Sequence, residues 1–150
     1  MDHAGIFQNL DLWSAVVGWL AAQTVKLIRE IGKSGRLDWS YYLSTGGMPS
    51  AHSAFVCALA ASVGLSAGFD TPLFAVALAF AGVVMFDAQS VRRAAGTQAR
   101  LLNQLVEELF TEHHLSEHKL AELLGHTPVE VFIGMITGII AALAVHAVAG

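Results

Sequence analysis

The chain has 150 residues, of which 55% are hydrophobic and only 13% are charged, with a formal net charge of −4 and a mean hydropathy of +0.58. A soluble domain of this size would carry about a quarter charged residues, so the composition argues against one. The single cysteine, Cys57, excludes an internal disulfide.

Four apolar stretches, at residues 12–28, 51–68, 72–88 and 128–149, account for the low charge. Each has roughly 17 to 22 residues, against the ~20 that a helix needs to cross a bilayer. The sequence therefore predicts an all-α fold: an integral membrane four-helix bundle that forms one domain over residues 1–150. Gly134-x-x-x-Gly138 would allow close helix packing, either inside the bundle or between two copies.

The lysines and arginines all fall on one side of these four stretches, and the other side carries Asp2, Asp11 and Asp70. Cytoplasmic loops of membrane proteins are enriched in lysine and arginine. We therefore expect a protein of the cytoplasmic membrane with both termini outside and its long loops in the cytoplasm.

A polar segment, residues 90–125, separates the third and fourth spans. Leucines and other apolar residues recur at helical spacing from Leu101 to Phe110, which predicts a short amphipathic helix. Ser116 and Gly125 are suited to begin and end a second one. Short cytoplasmic amphipathic helices are thus expected between the third and fourth spans.

The run from Gly46 to Ala54 reads Gly-Gly-Met-Pro-Ser-Ala-His-Ser-Ala and leads into the second span. Gly47 can adopt backbone conformations that are closed to other residues, and Pro49 fits the first turn of a helix. Ser50 and His52 would lie at a helix N-terminus, which favours an anion. The run suits phosphate chemistry; the alternative is a loop that Ser50 simply caps.

The predicted topology places the polar ends of all four spans at one cytoplasmic rim. Ionisable residues at or inside a span are functional candidates, because burying them is costly. Purely structural roles also remain open. Lys26 and Arg29 could anchor a helix end, and Glu130 could serve solely to complete a Thr127-Pro128-Val129-Glu130 capping box. The residues at this rim are Lys26, Arg29, Ser50, His52, Asp87, Arg92, Arg93, His126 and Glu130.

Pro49-Ser50-Ala51-His52 resembles the central motif of the type 2 phosphatidic acid phosphatase superfamily, which includes the vanadium-dependent haloperoxidases. The chain is similar to a small, divergent branch of that superfamily. The superfamily's first motif, Lys…Arg, is matched with compressed spacing by Lys26 and Arg29. Its third motif is an Arg followed by His-x-x-x-Asp. Arg92 or Arg93, His126 and Glu130 match this motif, with glutamate in place of aspartate. The segment 90–125 intervenes in this motif, whereas the superfamily's arginine and histidine lie a few residues apart.

The resemblance implies a lipid phosphatase in which His126 attacks phosphorus to form a phosphohistidine. Glu130 would hold the other ring nitrogen, and His52 would protonate the leaving alkoxide and later activate water. Lys26, Arg29, Ser50, Arg92 or Arg93, and backbone N–H groups after Gly47 would hold the phosphoryl oxygens. No cofactor is needed in this scheme, although Asp87 could orient an arginine or hold Mg²⁺ together with Glu130.

A site at the rim of a bundle opens sideways to the lipid leaflet. The expected substrate is therefore a lipid phosphate such as phosphatidate, phosphatidylglycerophosphate or a polyprenyl phosphate. No nucleic-acid partner is expected, and a homo-oligomer could complete the wall around the site. Two alternatives stay open: a transport protein, or a non-catalytic membrane protein that retains a degenerate phosphate-binding motif.

Overall fold

The computed structural model describes residues 4–35, 47–110 and 126–149. Every regular element within them is a helix, which confirms the all-α prediction. The helices are α1 (Ala4–Phe7), α2 (Leu10–Ser34), α3 (Ala51–Ala67), α4 (Pro72–Phe110) and α5 (Pro128–Ala149). Helix α3 is central: it packs along α2, α4 and α5, whereas α4 and α5 contact each other only weakly.

Two of these helices are long and apolar enough to cross a membrane, namely α5 and the first part of α4, Pro72–Ser90. The core helix of a soluble protein would be buried, yet large apolar side chains on the outward face of α4 are exposed, among them Val76, Phe80 and Val83. Helix α3 is apolar but has only 17 residues, about 26 Å of helix against a hydrocarbon core of ~30 Å. Membrane insertion is thus supported for α4 and α5, and the four-span arrangement stays a prediction.

Helix α4 continues far beyond its apolar part. It runs for 39 residues without interruption, about 58 Å, so the prediction of a separate short helix from Leu101 to Phe110 is wrong. The polar residues after the span do not end the helix: Ser90 donates its hydroxyl to the carbonyl of Phe86 at 2.7 Å. A polar side chain satisfied in this way leaves the helical backbone intact. The second predicted short helix lies outside the described residues.

Prolines begin two of the helices: Pro72 opens α4 and Pro128 opens α5, the position at which a missing N–H costs nothing. The prediction that Pro49 occupies the first turn of α3 is wrong. Ser50 is the N-cap, its extended backbone precedes Ala51, and its side chain accepts the N–H of Ser53. A hydroxyl that satisfies a free N–H group at the helix end sets the start of the helix here.

The bundle core is built from small residues that let the helix backbones approach. A methyl group on Gly138 would lie 2.9 Å from the carbonyl carbon of Ala54 and against its oxygen, and one on Gly134 would meet the carbonyl oxygen of Ser50. Gly18 of α2 faces α3 in the same way, since a methyl group added to it would lie 2.8 Å from Ala58 Cβ. The glycine pair of α5 therefore packs inside the chain, against α3.

Four polar side chains form a cluster at the end of the bundle opposite His126, which we call the polar clamp: Asp11, Ser62, Ser66 and His146. Ser62 donates to Asp11 Oδ1 at 2.6 Å and lies 2.8 Å from His146 Nε2, and Ser66 also donates to Asp11 Oδ1 at 2.8 Å. Because Ser62 gives its one proton to Asp11, His146 Nε2 must be the donor to Ser62. The clamp joins α2, α3 and α5.

Replacing Ser62 with alanine is expected to destabilise the protein by about 1–2 kcal/mol, because it leaves the partly buried His146 Nε2 without its acceptor. Thermal unfolding in detergent would measure the loss. Thr24→Ala is the matched control, since the Thr24 hydroxyl donates at an exposed position to the carbonyl of Leu20 on its own helix. Equal effects of the two substitutions would show that the clamp adds no stability.

Candidate functional site

The first turn of α5 holds a reciprocal pair of hydrogen bonds. The Thr127 hydroxyl accepts the N–H of Glu130 at 3.3 Å, and Glu130 Oε2 accepts the N–H of Thr127 at 3.1 Å. This is the predicted capping box. The same Glu130 Oε2 lies 3.0 Å from His126 Nδ1, so the carboxylate both caps the helix and holds the imidazole.

His126 is fixed from two sides. Its backbone N–H donates to the carbonyl of Ala88 on α4 at 3.1 Å, and its side chain, only 2% exposed, is held by Glu130. A carboxylate on Nδ1 selects the tautomer with the proton on that nitrogen. The lone pair of the neutral ring then lies on Nε2.

Nε2 of His126 is buried and has no hydrogen-bond partner among the residues that the structure describes. Leaving a buried polar atom unsatisfied costs about 1–3 kcal/mol. Native proteins contain few such atoms, and each calls for an explanation. A nitrogen reserved for a ligand or a reacting phosphorus atom provides one.

Two further residues join this pair from other helices. Lys26 of α2 is only 7% exposed, and the Glu130 carboxylate attracts it electrostatically. The backbone N–H of Ser50, at the start of α3, donates to the carbonyl of Glu130 at 3.0 Å. The structure thus brings together four residues from α2, α3 and the start of α5: Lys26, Ser50, His126 and Glu130.

Ser50 has a structural role within this group. It is completely buried, and its hydroxyl oxygen accepts both the N–H and the hydroxyl of Ser53, at 3.4 and 3.0 Å. Among the N–H groups after Gly47 that are expected to hold a phosphate, that of Ser50 is already bound to the carbonyl of Glu130. Gly47 is exposed and has a φ of +87°, a conformation that favours glycine.

Other candidates from the sequence stand apart from the buried group. His52, in the first turn of α3, is exposed, as are Arg29 on α2 and Asp87 on α4. The side chains of Arg92 and Arg93 lie outside the described residues. Where the structure describes the chain, no group of three or more His, Cys, Asp or Glu residues comes together as a metal site.

Gln23 is a site-proximal residue that sequence reasoning missed. It is only 4% exposed, and its Oε1 is buried without a hydrogen-bond partner among the described residues. It lies three residues before Lys26 on α2, and residues at this spacing are neighbours on a helix surface. The available signal was an amide inside an otherwise apolar stretch.

Comparison with known proteins agrees with the sequence resemblance. The chain matches the family described as "Divergent PAP2 family" over residues 7–141. It is also 43% identical, over 149 residues, to the uncharacterized membrane protein YuiD of Bacillus subtilis (strain 168), with 92% of this chain and 94% of the relative covered. No solved structure matches it. Since the family match spans most of the sequence, the chain belongs to the divergent PAP2 family.

Proposed function

We propose that the protein is a membrane lipid phosphatase that hydrolyses a phosphomonoester through a phosphohistidine on His126. The observation that carries this proposal is the state of the imidazole: Nδ1 bound to Glu130, and Nε2 buried without a partner where the structure is described. A histidine nucleophile needs an unprotonated nitrogen and a carboxylate that fixes its tautomer.

In the proposed reaction His126 Nε2 forms a bond to phosphorus while the bond from phosphorus to the lipid oxygen breaks. The ring becomes positively charged, and the Glu130 carboxylate stabilises that charge. Lys26 would hold phosphoryl oxygens as negative charge accumulates. Water then cleaves the phosphorus–nitrogen bond and releases inorganic phosphate.

The leaving alkoxide needs a proton, and His52 remains the candidate donor. It is exposed in the first turn of α3, two residues after Ser50, whose N–H binds Glu130. Arg29 and either Arg92 or Arg93 remain candidates for phosphate binding, and Asp87 for orienting an arginine. The proposal needs no metal ion.

The packing between the two ends of the bundle favours a phosphatase over a transporter. Gly18 of α2 and Gly138 of α5 lie directly against Ala54 and Ala58 of α3, between the buried group at His126 and the polar clamp. Close-packed small residues leave little room for a polar path. The polar groups therefore suit chemistry at one rim better than passage across the membrane.

The test is phosphate release by the purified protein in nanodiscs from phosphatidate, phosphatidylglycerophosphate and a polyprenyl phosphate. His126→Ala is expected to abolish turnover of every substrate, and vanadate, which imitates the transition state, is expected to inhibit competitively. His146→Gln is the matched control, because this histidine lies near the far end of α5, in the polar clamp, and its replacement should leave turnover unchanged.

Trapping without acid, followed by mass spectrometry, should place the phosphoryl group on His126. Full activity of His126→Ala, or a phosphoryl group on His52, would contradict the assignment of the nucleophile. Failure to hydrolyse any lipid phosphate would favour a non-catalytic member of the family.

A further inference from the structure

An apolar groove of about 290 Å³ lies between α3, α4 and α5. It exists because α4 and α5 both pack on α3 but hardly on each other. Its floor is α3, with Cys57, Ala60 and Ala61, and its walls are Leu78 of α4 and Ile139 of α5. The groove is therefore open sideways, towards the space that lipid fills around an inserted bundle.

Met85 and Met135 line the end of the groove that lies nearest to His126. Met85 lies one helical turn before Ala88, whose carbonyl accepts the N–H of His126. Met85 Sδ also lies 3.6 Å from Cys57 Sγ. Methionine side chains adapt to irregular apolar partners, so this end suits a flexible hydrocarbon chain.

Two aromatic rings line the other end of the groove. Phe69 and Phe74 pack edge to face with their centroids 5.1 Å apart, and the ring of Phe69 covers Gly64 of α3. Phe74 and Met85 lie about 16 Å apart along α4, about half of the ~30 Å hydrocarbon core. The groove thus has the depth of one leaflet.

We infer that this groove holds one hydrocarbon chain of the lipid phosphate whose phosphate reacts at His126, and that the Phe69–Phe74 pair limits the chain length. The inference rests on the proposed function for the identity of the head group. The volume of the groove is at the lower end of the range for ligand pockets, which suits one hydrocarbon chain rather than two. The small side chains of Ala60, Ala61 and Ala81 leave the space that the chain fills.

The experiment uses phosphatidate with a photoactivatable diazirine in the middle of one chain, incorporated into nanodiscs with the full-length protein. Labels should map to groove residues such as Leu78 and Ile139, several times more than with phosphatidylcholine that carries the same chain. A diazirine near the chain end should move the label to Phe69 and Phe74.

Two substitutions that fill the groove from different helices, Ala61→Phe and Leu143→Trp, should each abolish labelling in the groove. Val83→Phe, at an exposed position of α4 outside the groove, should leave it unchanged. If phosphatidylcholine labelled the groove as strongly as phosphatidate, bulk lipid would fill the groove. If phosphatidate labelled Val83 as strongly as the groove residues, the lipid would have no preference for the groove. Either result would overturn the inference.

Labelling does not require turnover, so it separates the two proposals. Selective labelling in wild-type protein and in His126→Ala, without phosphate release by the wild type, would support the groove and reject the phosphatase. Phosphate release without selective labelling would reject the groove alone.

Discussion

Glu130→Gln is expected to lower kcat by about 10³- to 10⁴-fold while leaving the fold intact. The carboxylate accepts Nδ1–H of His126 at 3.0 Å, and removing the charge from the orienting acid of a histidine dyad has effects of this size. Glutamine can still complete a capping box with Thr127. The measurement is kcat for the lipid phosphate that the wild-type protein hydrolyses fastest, with thermal unfolding of both proteins measured in parallel.

Thr127→Ala is the matched control for this experiment. It removes the hydroxyl that accepts the Glu130 N–H, which costs about 1 kcal/mol of stability, but leaves the His126–Glu130 hydrogen bond in place. We expect nearly normal kcat and a lower unfolding temperature, the reverse of Glu130→Gln. If the glutamine variant kept full activity, Glu130 would be a cap only.

Gly138→Ala is expected to destabilise the protein by about 3 kcal/mol or more. The added methyl would lie 2.9 and 3.0 Å from the carbonyl carbon and Cα of Ala54. Overpacking costs about 1–3 kcal/mol even where side chains can move, and here the obstacle is the backbone of α3. Thermal unfolding and the yield of folded protein in detergent would both fall.

Gly82→Ala provides the control inside another apolar helix. A methyl group added to Gly82 would meet nothing within 4 Å, and alanine favours a helix over glycine by about 1 kcal/mol. This variant should therefore be as stable as wild type or more so. A tolerated Gly138→Ala would mean that α3 and α5 can separate, and that the glycine pair serves another partner.

A local pattern predicted the start of α5, and the family resemblance implied its chemistry. The Thr-x-x-Glu spacing specifies a capping box, and the superfamily's third motif pairs His126, which lies two residues before the helix, with Glu130; both contacts occur. The continuation of α4 beyond the third span was harder to predict, because a polar residue can remain inside a helix by bonding to the backbone of its own helix, as Ser90 does. The burial of Lys26 beside an exposed Arg29 was not predictable either, since tertiary packing decides how α2 is rotated.

The three helices around the groove are not held equally. Helix α5 is tied to α3 near both ends, by the Ser50 N–H that donates to Glu130 at one and by His146 Nε2, which donates to Ser62, at the other, so sliding it would break both bonds at once. Helix α4 meets α3 through apolar contacts such as Ala81 against Val56, and its polar ties lie towards one end, where Met85 contacts Cys57 and the carbonyl of Ala88 accepts the N–H of His126. The part of α4 around Leu78, away from Ala88, can therefore yield to an entering chain while the bond at Ala88 keeps the reacting histidine in place.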